Sequence, residues 1–406
     1  MAIRIPPLRG GHAIDLLEGS GEYFPALVAA IDAARREVWL ETYIFDFTGS
    51  SADVAWALER AARRGVEVRV VVDGFGTPAV PAEWRERLLG AGVQWRTFAP
   101  PGPLYVLSPS SWRRLHRKLC VVDGDVGFCG GINVLDDLHD PNHGVLPAPR
   151  FDFAVRVDGP LVQELHGTML GLWLRMRTFQ DLRQGDLGGA LATIRHPRLL
   201  APRAPEPVGR ALQGARAALV LRDNLRFRGS IERAYLRAIG RAREEILIAN
   251  AYFVPGHRMR QALVTAARRG VRVVLLLQGR YEYFMQYYAA RPIYGALLKA
   301  GVSIHEYSPS FLHAKVAVID GRWATVGSSN IDPLSLLLAR EANVVVEDPA
   351  FATRLRERLL RAVTQEGEAM VPAHYEERPW RERLLERVAL GVMRLALAVQ
   401  GKRRYW

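Results

Sequence analysis

AARRGVEVRVVVDG, residues 61–74, returns as AARRGVRVVLLLQG, residues 266–279, with eight of the fourteen letters the same. Each copy joins the end of an Ala/Arg segment of helical period, closed by a glycine just past the last turn, to a Val/Leu-rich apolar run. The flanks repeat in the same order. REVWLETYIF (36–45) parallels EEILIANAYF (244–253), and LLGAGVQWRTFAP (88–100) parallels LLKAGVSIHEYSP (297–309). Both halves therefore read strand, helix, strand, helix, strand, followed by two further apolar strands. This alternation predicts an α/β sheet covered by helices on both faces, and its recurrence predicts two similar domains. Two such halves would pair about a pseudo-twofold axis and share one active site.

The two closing strands carry the chemistry. LHRKLCVVDGDVGFCGGIN (115–133) matches LHAKVAVIDGRWATVGSSN (312–330), so that His116, Lys118 and Asp123 recur as His313, Lys315 and Asp320. Histidine and lysine two apart on a strand leave the same face, with Arg117 or Ala314 on the other. Only four of the 55 basic residues are lysines (118, 299, 315 and 402), and two of them fill this slot. A compact ammonium and a rigid guanidinium are not interchangeable at a crowded phosphate. Asp123 and Asp320 end their strands before a glycine, the position of a turn or buried ion-pair residue, and they complete the candidate catalytic set. Gly130, Gly131 and Asn133, matched by Gly327, Ser328 and Asn330, form turns whose donors can reach phosphoryl oxygens. Ser328 stands where the first turn has Gly131, so the halves are not equivalent.

Two histidines facing each other across a phosphate divide the work. One attacks phosphorus; the other protonates the departing alkoxide and then deprotonates the incoming alcohol or water. Lysines and asparagines hold the oxygens where charge accumulates. Such a site needs neither metal nor cofactor.

Composition sets the surroundings. The 406 residues, 49% apolar and 24% charged, suffice for two ordinary domains. A formal charge of +13 implies an anionic partner, nucleic acid or an acidic membrane surface. Cys120 and Cys129, on apolar strands, read as buried thiols and argue against a disulfide framework. His139 and His143, in LDDLHDPNHG, read as a polar surface loop, because Pro141 breaks any helix that would align them on a metal. GDLGGALATIRHPRLLAPRAPEPVGR (185–210) lacks apolar periodicity and reads as a linker. It divides a first domain, 1–184, from a second, 211–370, with a basic amphipathic tail over 371–406.

The opening residues contain no continuous apolar run of the signal-peptide kind. The longest apolar stretch, VALGVMRLALAV (388–399), is interrupted by Arg394 and falls short of the roughly 20 residues a helical span requires. Apolar positions 384, 388, 392, 395 and 399 keep helical spacing, and Lys402, Arg403, Arg404, Tyr405 and Trp406 follow. That pattern suits a helix lying in a membrane interface and equally one packed on a domain. Aromatic loops precede each motif, PGPLYVLSPSSW (101–112) and YEYFMQYY (281–288). Their rings suit a headgroup interface, the cap of a core, or stacked bases.

The doubled H-x-K-x4-D with trailing G-G/S-x-N resembles the HKD signature of the phospholipase D superfamily. RWATVGSSNIDPLSLLLAREANVVVED (322–348), with FLHAKVAVID before it and ETYIF at 41–45, is similar to bacterial cardiolipin synthases, most of all the shorter B-type class without N-terminal membrane spans. The resemblance implies two phospholipase D-like α/β sandwich domains around one active site. It implies transfer of a phosphatidyl group between phosphatidylglycerol molecules, or to another alcohol, through a phosphohistidine with release of glycerol. His116 would be the nucleophile and His313 the acid/base. An acidic residue downstream of each motif, Asp152 in FDFAVRV and Glu341 in REANVVV, would orient the histidine of that motif through its other ring nitrogen. The implied partners are anionic phospholipid and the membrane surface, with nucleic acid the weaker candidate. The implied location is cytoplasmic, peripheral on the inner face of the cell membrane. The same residues with water as acceptor would make a phospholipase D-type hydrolase or a nuclease. Intact motifs in both halves argue against a catalytically silent membrane-binding module.

Overall fold

The computed structural model describes residues 5–102, 113–141, 143–183, 186, 214–223, 227, 229–280, 284–332, 339–372 and 379–399. The expected linker, apart from Asp186, lies outside them, as do most of the aromatic loop 101–112, Tyr281, Tyr283 and residues 400–406. The chain forms two compact units, each discontinuous in sequence. One comprises Arg9–Asp136 and Ala154–Leu219; the other comprises Met1–Leu8, Asp137–Phe153 and Val220–Trp406.

The first unit contains β1 (Arg9–Glu18), α1 (Gly19–Ala33), β2 (Glu37–Thr42), α2 (Ala52–Arg63), β3 (Glu67–Asp73), α3 (Ala82–Gly90) and β4 (Gln94–Phe98). They are followed by β5 (Lys118–Val122), β6 (Val126–Gly130), β7 (Phe153–Asp158), α4 (Leu161–Arg183) and the start of β8 (Ala215–Arg222). Its strands lie in the order β4-β3-β2-β5-β6-β7-β1-β8. β2, β3 and β4 run parallel, whereas β5 returns antiparallel to β2 and pairs with β6. Strand alternation builds both faces. Val38 and Leu40 enter the core formed with α1 and α2, while Trp39 between them meets His166 and Trp173 of α4. The expected helices on both faces are therefore present.

The second unit repeats the plan. It contains α5 (Ser230–Arg241), β9 (Glu245–Asn250), α6 (His257–Arg268), β10 (Arg272–Gln278), α7 (Phe284–Lys299), β11 (Ser303–Tyr307), β12 (Lys315–Ile319) and β13 (Trp323–Gly327). β14 (Ala339–Glu347), α8 (Pro349–Arg361), β15 (Gly367–Ala369) and α9 (Trp380–Val399) complete it. Strand order is β15-β11-β10-β9-β12-β13-β14, so β11-β10-β9-β12-β13 reproduces β4-β3-β2-β5-β6 with the same senses of pairing. Ile246 and Ile248 face the core made with α5, α6 and α7, and Glu245 turns to Arg356 of α8 on the other side.

The repeated AARRG ends its helix as the sequence predicts. Gly65 and Gly270 take left-handed φ of 87° and 86°, a region that costs glycine nothing. In both copies the glycine N–H and the next residue's N–H bond carbonyls of the last turn, the Schellman arrangement. Cys120 and Cys129 are both buried, as the apolar strands around them predict.

Candidate active site

Each motif strand is fixed at both ends by side chains that bond backbone. At one end, Asp123 and Asp320 adopt positive φ of 54° and 51°. The Asp123 carboxylate accepts the N–H groups of Arg35, Arg36 and Glu37 at 2.8–2.9 Å. Asp320 accepts those of Arg243, Glu244 and Glu245 at 2.9 Å. A strand of this length puts each aspartate roughly 20 Å from its histidine. Of the two roles the sequence suggests for these aspartates, their bonds serve the turn; neither carboxylate lies beside its imidazole.

At the other end, buried Asp73 closes β3 and accepts the N–H of Leu115 at 2.7 Å, while Gln278 closes β10 and accepts that of Leu312 at 3.1 Å. An acceptor at the end of a strand two places away in the sheet thus holds the residue before each histidine. Asp73 also accepts from Phe75 and Gly76, yet burial outweighs these bonds and pushes its carboxyl up. These two residues escaped the sequence reading, although the alignment of VVVDG with LLLQG displays both, each the polar end of an apolar run.

His116 is half-buried, its ring 5.0 Å from that of Tyr43, and the Lys118 ammonium lies 5.5 Å from the same ring. Lys118 Nζ donates to the His116 carbonyl at 2.7 Å, and Lys315 Nζ donates to the His313 carbonyl. Both lysines are buried. Withdrawn from bulk water, their charges act on a nearby anion far more strongly than exposed ones would. On the opposite face Arg117 holds Glu41 through two bonds, 2.5 and 3.1 Å long, with both residues buried. In the other half these two positions are Ala249 and Ala314, both fully buried. The ion pair has been exchanged as a unit for two methyl groups, the substitution that leaves no uncompensated charge.

His313 Nδ1 lies 2.6 Å from Asp152 Oδ2, and the second Asp152 oxygen accepts the Phe153 N–H at 2.8 Å. A backbone bridge sets this pair: Phe151 N–H donates to the Phe311 carbonyl at 3.0 Å, and His313 N–H donates to the Phe151 carbonyl at 2.9 Å. The carboxylate fixes the proton on Nδ1 and leaves Nε2 as the ring's acceptor. Asp152 follows the first motif in sequence but serves the histidine of the second, because residues 137–153 fold into the unit that holds His313.

The turn residues are built into the frame. The Ser328 hydroxyl donates to Glu341 and accepts from the Ala342 N–H at 3.2 Å, and Glu341 is fully buried. Asn133 Oδ1 accepts the Ile44 N–H at 3.1 Å. Asn330 is buried beside Tyr235 and Met259, and its Oδ1 lacks a hydrogen-bond partner among the described residues. His143 bonds Asp140 at 2.9 Å through Nδ1, and its ring rests 5.0 Å from that of Phe311, two residues before His313.

A family model described as "Cardiolipin synthase, PLD-like domain" matches residues 27–145 and 235–363, once in each half. Cardiolipin synthase B of Escherichia coli (strain K12) is 37% identical over 372 residues, covering 92% of this chain and 85% of its own. Cardiolipin synthase of Geobacillus kaustophilus (strain HTA426) is 30% identical, covering 94% of this chain and 73% of its own. Among solved structures, the phosphatidylserine synthase of Haemophilus influenzae Rd KW20 superposes with a TM-score of 0.68 at 11% identity, covering 98% of this chain and 96% of its own. That last likeness bears on the fold alone.

Proposed function

The chain belongs to the cardiolipin synthase, PLD-like family, and from that premise we propose that it is a phosphatidyltransferase joining two phosphatidylglycerol molecules into cardiolipin with release of glycerol. His116 attacks phosphorus, the bond to the glycerol headgroup breaks, and His313 Nε2 delivers a proton to the departing alkoxide. The hydroxyl of a second phosphatidylglycerol then gives its proton to His313 as its oxygen takes the phosphatidyl group from His116. Both histidines serve this one cycle.

Lys118 and Lys315 hold the equatorial oxygens, where negative charge grows in each transfer. Asp152 stabilises the imidazolium that His313 becomes when it accepts the alcohol proton. Asp123 and Asp320 keep the motif strands in register and take no part in proton transfer. Asn133, Ser328 and Glu341 hold the turns behind the site, and Asn330 adds an amide donor. The enzyme works as a peripheral protein at the inner face of the cell membrane. Among the described residues no helix is long and apolar enough to cross a bilayer.

The observation that carries this reading is the buried carboxylate of Asp152 at 2.6 Å from His313, beside a buried Lys315. A His-carboxylate pair next to an ammonium is equipped to move a proton on and off an alkoxide at an anionic centre. The test is to incubate the purified chain with phosphatidylglycerol vesicles in EDTA and analyse the lipids. Cardiolipin and glycerol in equal amounts are expected. Phosphatidic acid alone would make it a hydrolase, and cleavage of DNA without lipid turnover would make it a nuclease.

A further inference from the structure

The last described helix, α9, has two apolar sides. Its inner side carries Ala389 and Leu390, buried in the core shared with α7, and Glu386, also buried. Its outer side carries Trp380, Leu384, Val388 and Val392, which are 64%, 53%, 52% and 51% exposed. At roughly 100° per residue, side chains four apart step about 40° around the axis, so these four form one continuous stripe. Arg381, Arg383 and Arg387 are exposed within and beside it, and the Arg381 guanidinium lies 5.7 Å from the Trp380 ring.

A helix packed against a domain normally turns its polar face to water. Here three aliphatic side chains and an indole occupy that face, bordered by guanidinium groups. We propose that the outer face of α9 is a docking surface for an anionic lipid bilayer. The indole and aliphatic stripe enters the interface between headgroups and acyl chains, while the three arginines meet phosphate. Charge selects this occupant over a second copy of the chain, since a twofold contact through the stripe would gather the exposed Arg381, Arg383 and Arg387 of both copies at one interface. The inference leans on the phosphatidyltransferase reading only in making the bilayer the place where substrate resides. The stripe and its charges stand apart from it.

Flotation of the full chain with vesicles tests the proposal without turnover, so it can fail while the catalytic reading holds, or hold while that reading fails. Vesicles of mixed phosphatidylglycerol and phosphatidylcholine should carry the protein, and phosphatidylcholine alone should carry much less. In L384Q/V388Q/V392Q, partition onto the anionic vesicles should fall about tenfold or more, since several apolar side chains lose the gain of leaving water. Turnover of phosphatidylglycerol dispersed in detergent should persist. Should that variant misfold, the single change Val388→Cys suffices, because Cys120 and Cys129 are buried and a polarity-sensitive dye will label position 388 alone. Its emission should shift to the blue with anionic vesicles and be quenched by spin-labelled lipid, whereas a dye at Glu357→Cys on α8 should stay in water. The proposal is overturned if the dye at 388 remains hydrated on vesicle-bound protein. It is equally overturned if the triple variant keeps full vesicle partition, or if sedimentation shows it dissolving a dimer instead.

Discussion

Asp152→Asn removes one charge and hardly any volume, and its effect follows from the His313 geometry. The carboxylate lies 2.6 Å from Nδ1 and is itself buried, so its attraction for an imidazolium is little screened. At an effective dielectric near 20, unit charges about 4 Å apart interact by about 4 kcal/mol. Desolvation of the same groups offsets part of that. Retaining about 2–4 kcal/mol of it in the transition state corresponds to a loss of roughly thirty- to a thousandfold in kcat. Asparagine can still accept the Phe153 N–H, so the fold should survive and the melting temperature should barely move.

The assay is cardiolipin formation from phosphatidylglycerol vesicles, beside a donor whose headgroup is p-nitrophenol. A leaving group that departs as a stable phenolate needs no proton from His313. The first transfer from this donor should therefore lose much less than cardiolipin synthesis does. An equal loss with both donors, or synthesis within about threefold of the unaltered chain, a change of less than 1 kcal/mol, would refute the reasoning.

Other consequences are open to measurement. Glu41→Ala strands a buried guanidinium and should cost about 3–5 kcal/mol in urea unfolding; E41A/R117A, which copies Ala249 and Ala314, should recover most of it, and failure to recover would deny the equivalence of the two sites. Asp320→Ala leaves three backbone N–H groups without their acceptor and should destabilise by about 3 kcal/mol, while the folded fraction keeps its kcat; a collapse of kcat at unchanged stability would return that aspartate to the chemistry. Burial holds His166 below the usual histidine range despite Glu37 at 3.6 Å. Its contribution to stability is therefore complete above the unfolded value of 6.5 and declines as pH falls below it, with a slope of at most about 1.4 kcal/mol per pH unit. His166→Phe should flatten that acid slope in part, since His12 and His305 are held low by burial as well; an unchanged slope would place the titration elsewhere.

What the sequence disclosed and what it withheld differ in kind. The succession of strands and helices around β2 and β9 was legible because an apolar run, a helical period and a glycine in the C′ position are local signals, and the second copy repeated each of them. His116 with Lys118, and His313 with Lys315, were legible for the same reason, since alternation on a strand needs no knowledge of neighbours. The partner of His313 was not. Asp152 reaches it only because the segment 137–153 folds into the other half's unit, a long-range fact that no periodicity encodes. The roles of Asp73 and Gln278 were half visible, as a matched polar residue at the end of two apolar runs. What each bonds depends on strand pairing. The exchange of Glu41 and Arg117 for two alanines shows how packing settles as a pair what the sequence displays as two unrelated differences. In α9 the spacing revealed an apolar stripe, and only the fold decided that it faces outward.

The central claim is that His116 carries the phosphatidyl group and His313 moves the protons. It is tested most directly by mixing His313→Ala with phosphorus-labelled phosphatidyl-p-nitrophenol and quenching rapidly. Formation of the intermediate then needs no acid and its breakdown lacks a base. A burst of one nitrophenolate per chain is expected, with label stable to alkali and lost in acid on the peptide containing His116. No burst, or a burst of the same size when His116 is also replaced by alanine, would contradict the account.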